Sequence, residues 1–267
     1  MPAAAAETGG ERTEVEPSSR WARVDGLWMH YRTAGEVAIA TRPAVVLVHG
    51  LVVSSRYMVP TLKRLARDYR VYAPDLPGFG ESEKLPDSLD VPGLSSALSA
   101  WMDAVELKQA ALVGNSMGCQ VIVHLAARRP ELVEQVVLQA PTMDPCGRSV
   151  PRQVARFLLD VPREPLSLVP IELLDLLAAG ARRGWRTLRY GLEDRIEENL
   201  PHLRSPTLIL RGSRDPICPQ RWAEEATRLV PKGRLVVLHG AAHAANFGAS
   251  TAFADVIRDF LKKERGG

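Results

Sequence analysis

A serine, a histidine and an aspartate stand in this chain where together they could carry out acyl transfer. Ser116 lies in GNSMG, between Gly114 and Gly118, after an apolar run and before a helical pattern. A serine hydroxyl is a weak nucleophile at neutral pH. It becomes useful when the backbone lifts it clear of its surroundings and a base takes its proton. A G-x-S-x-G turn between strand and helix does the lifting. It forces the serine into a sparsely populated conformation, where side chains two residues to either side would collide. Gly114 and Gly118 have none, and the positive end of the following helix lies beneath the hydroxyl.

The base must come from another loop. Of the six histidines, His30 falls in a hairpin pattern, His124 in a helix and His202 at the end of a leucine-rich segment. His49 and His239 each close a strand before a glycine and read as loop-shaping. His243, in HGAAHAANF, follows the last strand in a loop of small residues and is the expected general base. A carboxylate should hold its other ring nitrogen and stabilise the imidazolium. Asp215, in RGSRDPICP, is favoured, with Asp144 in QAPTMDP as a rival. The order Ser, Asp, His is one of the known chain orders for such a set. The oxyanion needs backbone donors. The N–H of Met117 opens the helix after the serine, and that of Leu51 follows AVVLVHG; Val52 to Arg56 would line the pocket floor.

Further candidates lie close by. Asn246, three residues after His243, either contacts substrate or braces the loop. Asn115 reads as a brace for the serine turn. Arg182, Arg183 and Arg186 are candidates to meet a substrate carboxylate, against the alternative of solvated helix charges.

These residues need a scaffold that collects loops at one edge. The pattern from Trp21 onward supplies it. WARVDGLWMHYRTAG reads as an antiparallel hairpin around Asp25-Gly26, and AVVLVHG as a strand buried on both faces. Helical spacing follows in YMVPTLKRLARDY, with Pro60 expected in the first turn. Strands YRVYAPD, QAALVGN, VEQVVLQAP, PTLILRGS and GRLVVLHG then alternate with helical stretches. Such alternation means a mostly parallel sheet covered on both faces, with ligands bound beyond the carboxyl ends of the strands. Residues 144–200 break the alternation. They hold leucine-rich helical stretches punctuated by prolines, expected as a cap over the strand ends with an apolar underside. The expected organisation is a disordered tail over 1–20, a core over 21–143 and 201–267, and the cap between.

Composition agrees with one such domain. The chain has 267 residues, 46% of them hydrophobic and 24% charged, and a net charge of +3. That suffices for a substantial core. No cluster of basic and aromatic residues points to nucleic acid. No run is long enough to span a bilayer, so no membrane partner is expected. The N-terminal stretch lacks a basic and apolar leader. Cys119, Cys146 and Cys218 are widely spaced and odd in number, which suits reduced, buried thiols in a cytoplasmic protein. No metal or organic cofactor is expected. The partner is a small-molecule substrate, and the protein a monomer or homodimer.

VHG with its following loop, DLPGFGES, GNSMG, RGSRDPICP and AAHAANF occur in order from Trp21 to the C-terminus. In this the chain resembles the α/β-hydrolase superfamily, in its serine-nucleophile branch with a helical cap. The resemblance implies a mostly parallel eight-stranded sheet, a Ser116–His243–Asp215 triad and an architectural role for the Asp75–Ser82 loop. Epoxide hydrolases and haloalkane dehalogenases of the superfamily use Asp at the elbow, where this chain has Ser116. GNSMG also resembles the hydrolases that cut carbon–carbon bonds in aromatic ring-fission products. This chain departs from them in HGLVVSS, where they carry a glycine-rich oxyanion loop, and in Ala244, where they carry an aromatic residue. The resemblance implies a carboxylesterase-like hydrolase acting on a small, largely apolar ester or acyl compound. The alternatives are a C–C bond hydrolase and a small-ligand receptor that keeps the triad.

Overall fold

The computed structural model describes residues 15–35 and 42–263. Eight strands form one sheet: β1 (Ser18–Val24), β2 (Leu27–Ala34), β3 (Ala44–Val48), β4 (Val71–Pro74), β5 (Ala110–Asn115), β6 (Val133–Gln139), β7 (Thr207–Gly212) and β8 (Gly233–Leu238). Their order is β1-β2-β4-β3-β5-β6-β7-β8. The hairpin β1–β2 and the pair β2–β4 are antiparallel, and all other pairs are parallel. Asp25 and Gly26 both take positive φ at the hairpin turn, the geometry that matches strand twist. Most of the tail expected over 1–20 lies outside the described residues. Its last three residues are a correction, because Ser18–Arg20 pair with β2 as strand.

The parallel strands are buried throughout β3, β5 and β7, as continuous β-branched and leucine runs require when helices cover both faces. One core packs α2 (Val91–Ala104), α3 (Met117–Arg128) and α8 (Gln220–Leu229) on one face. The other packs α1 (Ser55–Leu65) and the long C-terminal helix on the opposite face. Helix α1 begins earlier than its apolar spacing suggests, because the Ser54 hydroxyl caps it by accepting from Arg56 N at 3.3 Å. Pro60 therefore sits inside the helix and not in its first turn.

Between β6 and β7 the described residues contain helices only: α4 (Val150–Asp160), α5 (Val169–Ala179), α6 (Ala181–Glu193), α7 (Ile196–Asn199) and short 3₁₀ turns. Acidic side chains tie this insertion to the core. Asp175 accepts from the Ser54 hydroxyl at 2.6 Å and from Arg56 at 3.0 Å. Asp194 holds His124 at 2.6 Å and Gln120 at 2.8 Å on α3. After β8 come the short α9 (Ala245–Gly248) and α10 (Ser250–Lys263). No helix among the described residues is long and apolar enough to cross a membrane.

Candidate active site

Strand β5 ends at Asn115, α3 starts at Met117, and Ser116 between them has φ 55° and ψ −121°. Such a backbone is costly for a residue with a side chain and persists only where the surroundings dictate it. Here they do. A Cβ on Gly114 would lie 2.8 Å from the Gly118 backbone, and one on Gly118 would lie 2.4 Å from the carbonyl oxygen of Val48. The tight crossing of β3, β5 and α3 thus needs both glycines. Ser116 is the one residue from Ala110 to Val123 that is not buried.

His243 and Asp215 meet at the same edge. The His243 Nδ1 lies 3.0 Å from Asp215 Oδ2. Asp215 is held by its own loop, where Oδ1 accepts from the N–H of Ile217 at 2.7 Å and of Cys218 at 2.9 Å. The two loops pack closely: a Cβ on Gly212 would come 2.3 Å from Ala241 O. Gln139, at the end of β6, donates from Nε2 to the His243 carbonyl at 2.5 Å, and Asn115 donates to Gln139 Oε1. Asn115 is the brace expected from the sequence, linked through Gln139 to the histidine loop. Burial pulls the His243 pKa down, but the charge of Asp215, its hydrogen bond and the nearby Asp160 and Glu164 override this and bring it to about 9.

Ser116 and His243 line one cavity of about 370 Å³. Leu51, Val52 and Val53 from the loop after β3, with Met117 and Tyr57, form its floor. Val154, Phe157, Leu176 and Leu188 of the insertion wall it above. A Cβ on Gly50 would lie 3.2 Å from Ser116 Cβ, so the loop carrying Leu51 presses against the serine turn. Leu51 and Met117 thus stand in the wall beside Ser116. Val52 is held at φ 58°, a further strained non-glycine at the cavity.

Other expected residues lie elsewhere. Asp144 is engaged by Arg156 at 2.7 Å and Arg221 at 2.5 Å and makes no pair with His243. Asn246 does not reach the cavity. It is buried, donating to Tyr57 O at 3.3 Å, and its carbonyl accepts from Thr61 Oγ1 at 2.5 Å, so it pins α9 to α1. Arg183 donates to Leu85 O at 2.6 Å and Arg186 to Asp87 at 2.5 Å, so both clamp the loop after β4. Arg182 is exposed. None of the three arginines lines the cavity. In the Asp75 loop, Asp75 binds His30 Nδ1 at 2.8 Å and accepts from the N–H of Ser55 and Glu81, an architectural knot as expected. Cys119 and Cys218 are buried, but Cys146 is exposed, contrary to the expectation of three buried thiols.

Three acids of the insertion were missed by the sequence reading. Glu164 accepts from the N–H of Ala244 at 2.6 Å, and Asp160 from that of His243 at 3.4 Å. Burial pushes Glu164 up to about 7, against the Ala244 N–H and with help from the charge of Asp160. Asp160 is raised by burial, and so is Glu172, which lines the cavity. Their spacing along the chain looks like a solvated helix face. Only the fold brings them to the histidine loop.

This fold and this cluster of strand-end loops define a class, and comparison with known proteins places the chain in it. The model of the alpha/beta hydrolase family matches residues 45–256, and the chain belongs to that family. It is 30% identical over 244 residues to the pimeloyl-acyl-carrier-protein methyl ester esterase of Neisseria meningitidis serogroup A, covering 82% of this chain and 76% of that one. Its fold matches the enol-lactonase from Burkholderia xenovorans LB400 with a TM-score of 0.75 at 24% identity, over 91% of this chain and 100% of that chain. It matches the 2-hydroxy-6-oxo-6-phenylhexa-2,4-dienoate hydrolase of Rhodococcus sp. strain RHA1 with a TM-score of 0.75 at 22% identity, over 93% and 99%.

Proposed function

We propose that this hydrolase cleaves a small, largely apolar carboxylic ester or related acyl compound through a Ser116–His243–Asp215 triad. The observation that carries the reading is the His243–Asp215 pair opening onto the same apolar cavity as the strained, accessible Ser116. With Nδ1 engaged by Asp215, Nε2 is the nitrogen left to take the serine proton. Ser116 Oγ attacks the substrate carbonyl as its proton passes to His243, and Asp215 stabilises the imidazolium. The oxyanion is met by the N–H groups of Leu51 and Met117, each worth about 3–4 kcal/mol in such sites. Collapse of the tetrahedral adduct expels the alcohol, which takes the proton from His243. Water, deprotonated by His243, then releases the acid from the acyl-enzyme. The route calls for no metal or organic cofactor. Residues 144–200 act as the cap that keeps bulk water from the acyl group, and the wide spacing of the cysteines suits a cytoplasmic enzyme.

The cavity wall favours an uncharged acyl group. Its charged side chains are Glu172 and His243, and a carboxylate on the substrate would meet Glu172 instead of an arginine. This weighs against ring-fission diketones, which carry an acid. The esterase name of the Neisseria relative agrees with the ester reading. A panel of p-nitrophenyl acetate, butyrate and octanoate beside a ring-fission diketone tests it. Esters should be cleaved with kcat/KM at least about tenfold above the diketone. Faster cleavage of the diketone would favour the C–C reading, and turnover of neither a binding role.

A further inference from the structure

We propose that the outer face of α4 and α5 seats the protein on the surface of an anionic phospholipid bilayer, with the cavity mouth turned toward the lipid. The inference goes beyond the hydrolytic reading and does not depend on it.

Among the described residues, twelve of the fifteen exposed large hydrophobic side chains lie between Val154 and Trp185. Helix α5 is built inside out. Asp175 is 1% exposed, while Leu173, Leu174 and Leu177 are 53%, 59% and 70% exposed. A surface helix ordinarily turns its apolar stripe to the core and its charges to water. Leu158 on α4 is 64% exposed, and Leu166 in the turn between the helices 87%. Monomeric soluble proteins rarely concentrate so many exposed apolar side chains in one segment without using them.

Charge decides what covers it. All four acids from Val150 to Ala179 (Asp160, Glu164, Glu172 and Asp175) turn inward to the histidine loop, the cavity or α1. The exposed or half-exposed charges left on this stretch and the start of α6 are arginines. Arg152, Arg163 and Arg182 form no ion pair with a described residue. Leucine and phenylalanine with arginine, and Trp185 on the neighbouring helix, are the composition of a helix that lies in a lipid headgroup layer. A second copy of the chain fits less well, because a two-fold contact sets this patch against itself and arginine against arginine. The patch also runs into the cavity. Val154, Phe157 and Leu176 are each about half exposed and each line the cavity wall, so an apolar molecule could pass from lipid to Ser116 without crossing water. The lack of a spanning run does not bear on this, since an interfacial helix needs none.

Flotation of the full chain tests the proposal, using the Ser116→Ala variant so that no lipid is turned over. It should float with vesicles of three parts phosphatidylcholine to one part phosphatidylglycerol and stay behind with phosphatidylcholine alone. Arg163→Glu and Arg182→Glu should each weaken binding by about fivefold. The triple variant Leu158→Ser, Leu174→Ser, Leu177→Ser changes exposed side chains outside the cavity wall. Made with Ser116 intact it should keep soluble-ester activity; made in the Ser116→Ala background it should keep that parent's urea midpoint yet bind the mixed vesicles at least about tenfold more weakly. Failure of the parent to float with either vesicle overturns the proposal. So does equal flotation of the triple variant, or a parent dimer that the triple variant dissolves without any vesicle binding. Because flotation needs no turnover, its failure would leave the hydrolytic reading standing, and loss of that reading would leave flotation intact.

Discussion

Ser116 is held in a backbone conformation that its neighbours dictate, so the glycines beside it are structural requirements of the turn. Gly118→Ala would put a Cβ 2.4 Å from a backbone oxygen that cannot swing away. It should cost about 2–4 kcal/mol in urea unfolding, where Ala changes at tolerant positions cost far less. His243 titrates near 9, above the ordinary histidine value, because Asp215, Asp160 and Glu164 outweigh its burial. In the proposed mechanism the base form accepts the serine proton, so kcat/KM for a neutral ester should rise with pH along a limb whose midpoint lies well above 6.5. Asp215→Asn removes the largest opposing charge. It should move that limb downward and lower kcat by about 10⁴-fold. At this scale the sequence spoke clearly about Ser116, Gly114 and Gly118, because a turn motif fixes its own local geometry. It pointed to His243 by its place after the last strand. It left Asn246 open between substrate and brace, because being three residues from the histidine says nothing about which way a side chain turns when a new helix begins at Ala245; the fold makes it a brace.

The elements show where pattern stops informing. The strands were readable because β-branched runs ended by glycine have few other uses, and the Asp25-Gly26 turn fixes the register of its hairpin. The helical insertion was readable as helices but not as a surface. Its 3.6-residue periodicity tells which face of α5 is apolar, and not whether protein or solvent lies against that face. Val154, Phe157, Leu176 and Leu188 line the cavity, but most of the leucines of α5 point away. The acids point in, and Asp160 and Glu164 make the seam with the histidine loop. Glu164 is raised to about 7 in the fold, so its folded pKa lies above its unfolded one. Its contribution to stability is therefore full below the unfolded value near 4.5 and is lost as pH rises through 7. Glu164→Gln keeps an acceptor for Ala244 N–H and cannot ionise. Chemical unfolding should find it more stable than the parent by about 1–3 kcal/mol at pH 8 and nearly equal at pH 4.

Across the whole molecule these titrations add in one direction. The folded pKa of His243 is raised, so its proton stabilises the fold fully below about 6.5 and the benefit fades as pH climbs through 9. Glu164 acts over a lower range with the same sign. Buried His49, whose pKa burial lowers, opposes them below about 6.5. The urea midpoint should therefore fall from pH 7 to pH 9, and a midpoint that rises over that range would contradict the placement of His243. The overall architecture was the most readable feature of all. Alternating strands and helices leave few topologies, and in them the carboxyl ends of β3, β5, β7 and β8 bring residues 51, 116, 215 and 243 to one edge. What the chain could not announce was the outward leucine face, because exposure is a property of the assembled surface and no local pattern records it.

Labelling with a fluorophosphonate probe reads whether Ser116 is an activated nucleophile. Intact-mass and peptide mass spectrometry should find one adduct, on Ser116, formed rapidly by the parent, absent from Ser116→Ala and at least about 10³-fold slower in His243→Ala. An adduct on another residue, or equal labelling of Ser116 with and without His243, would contradict that activation.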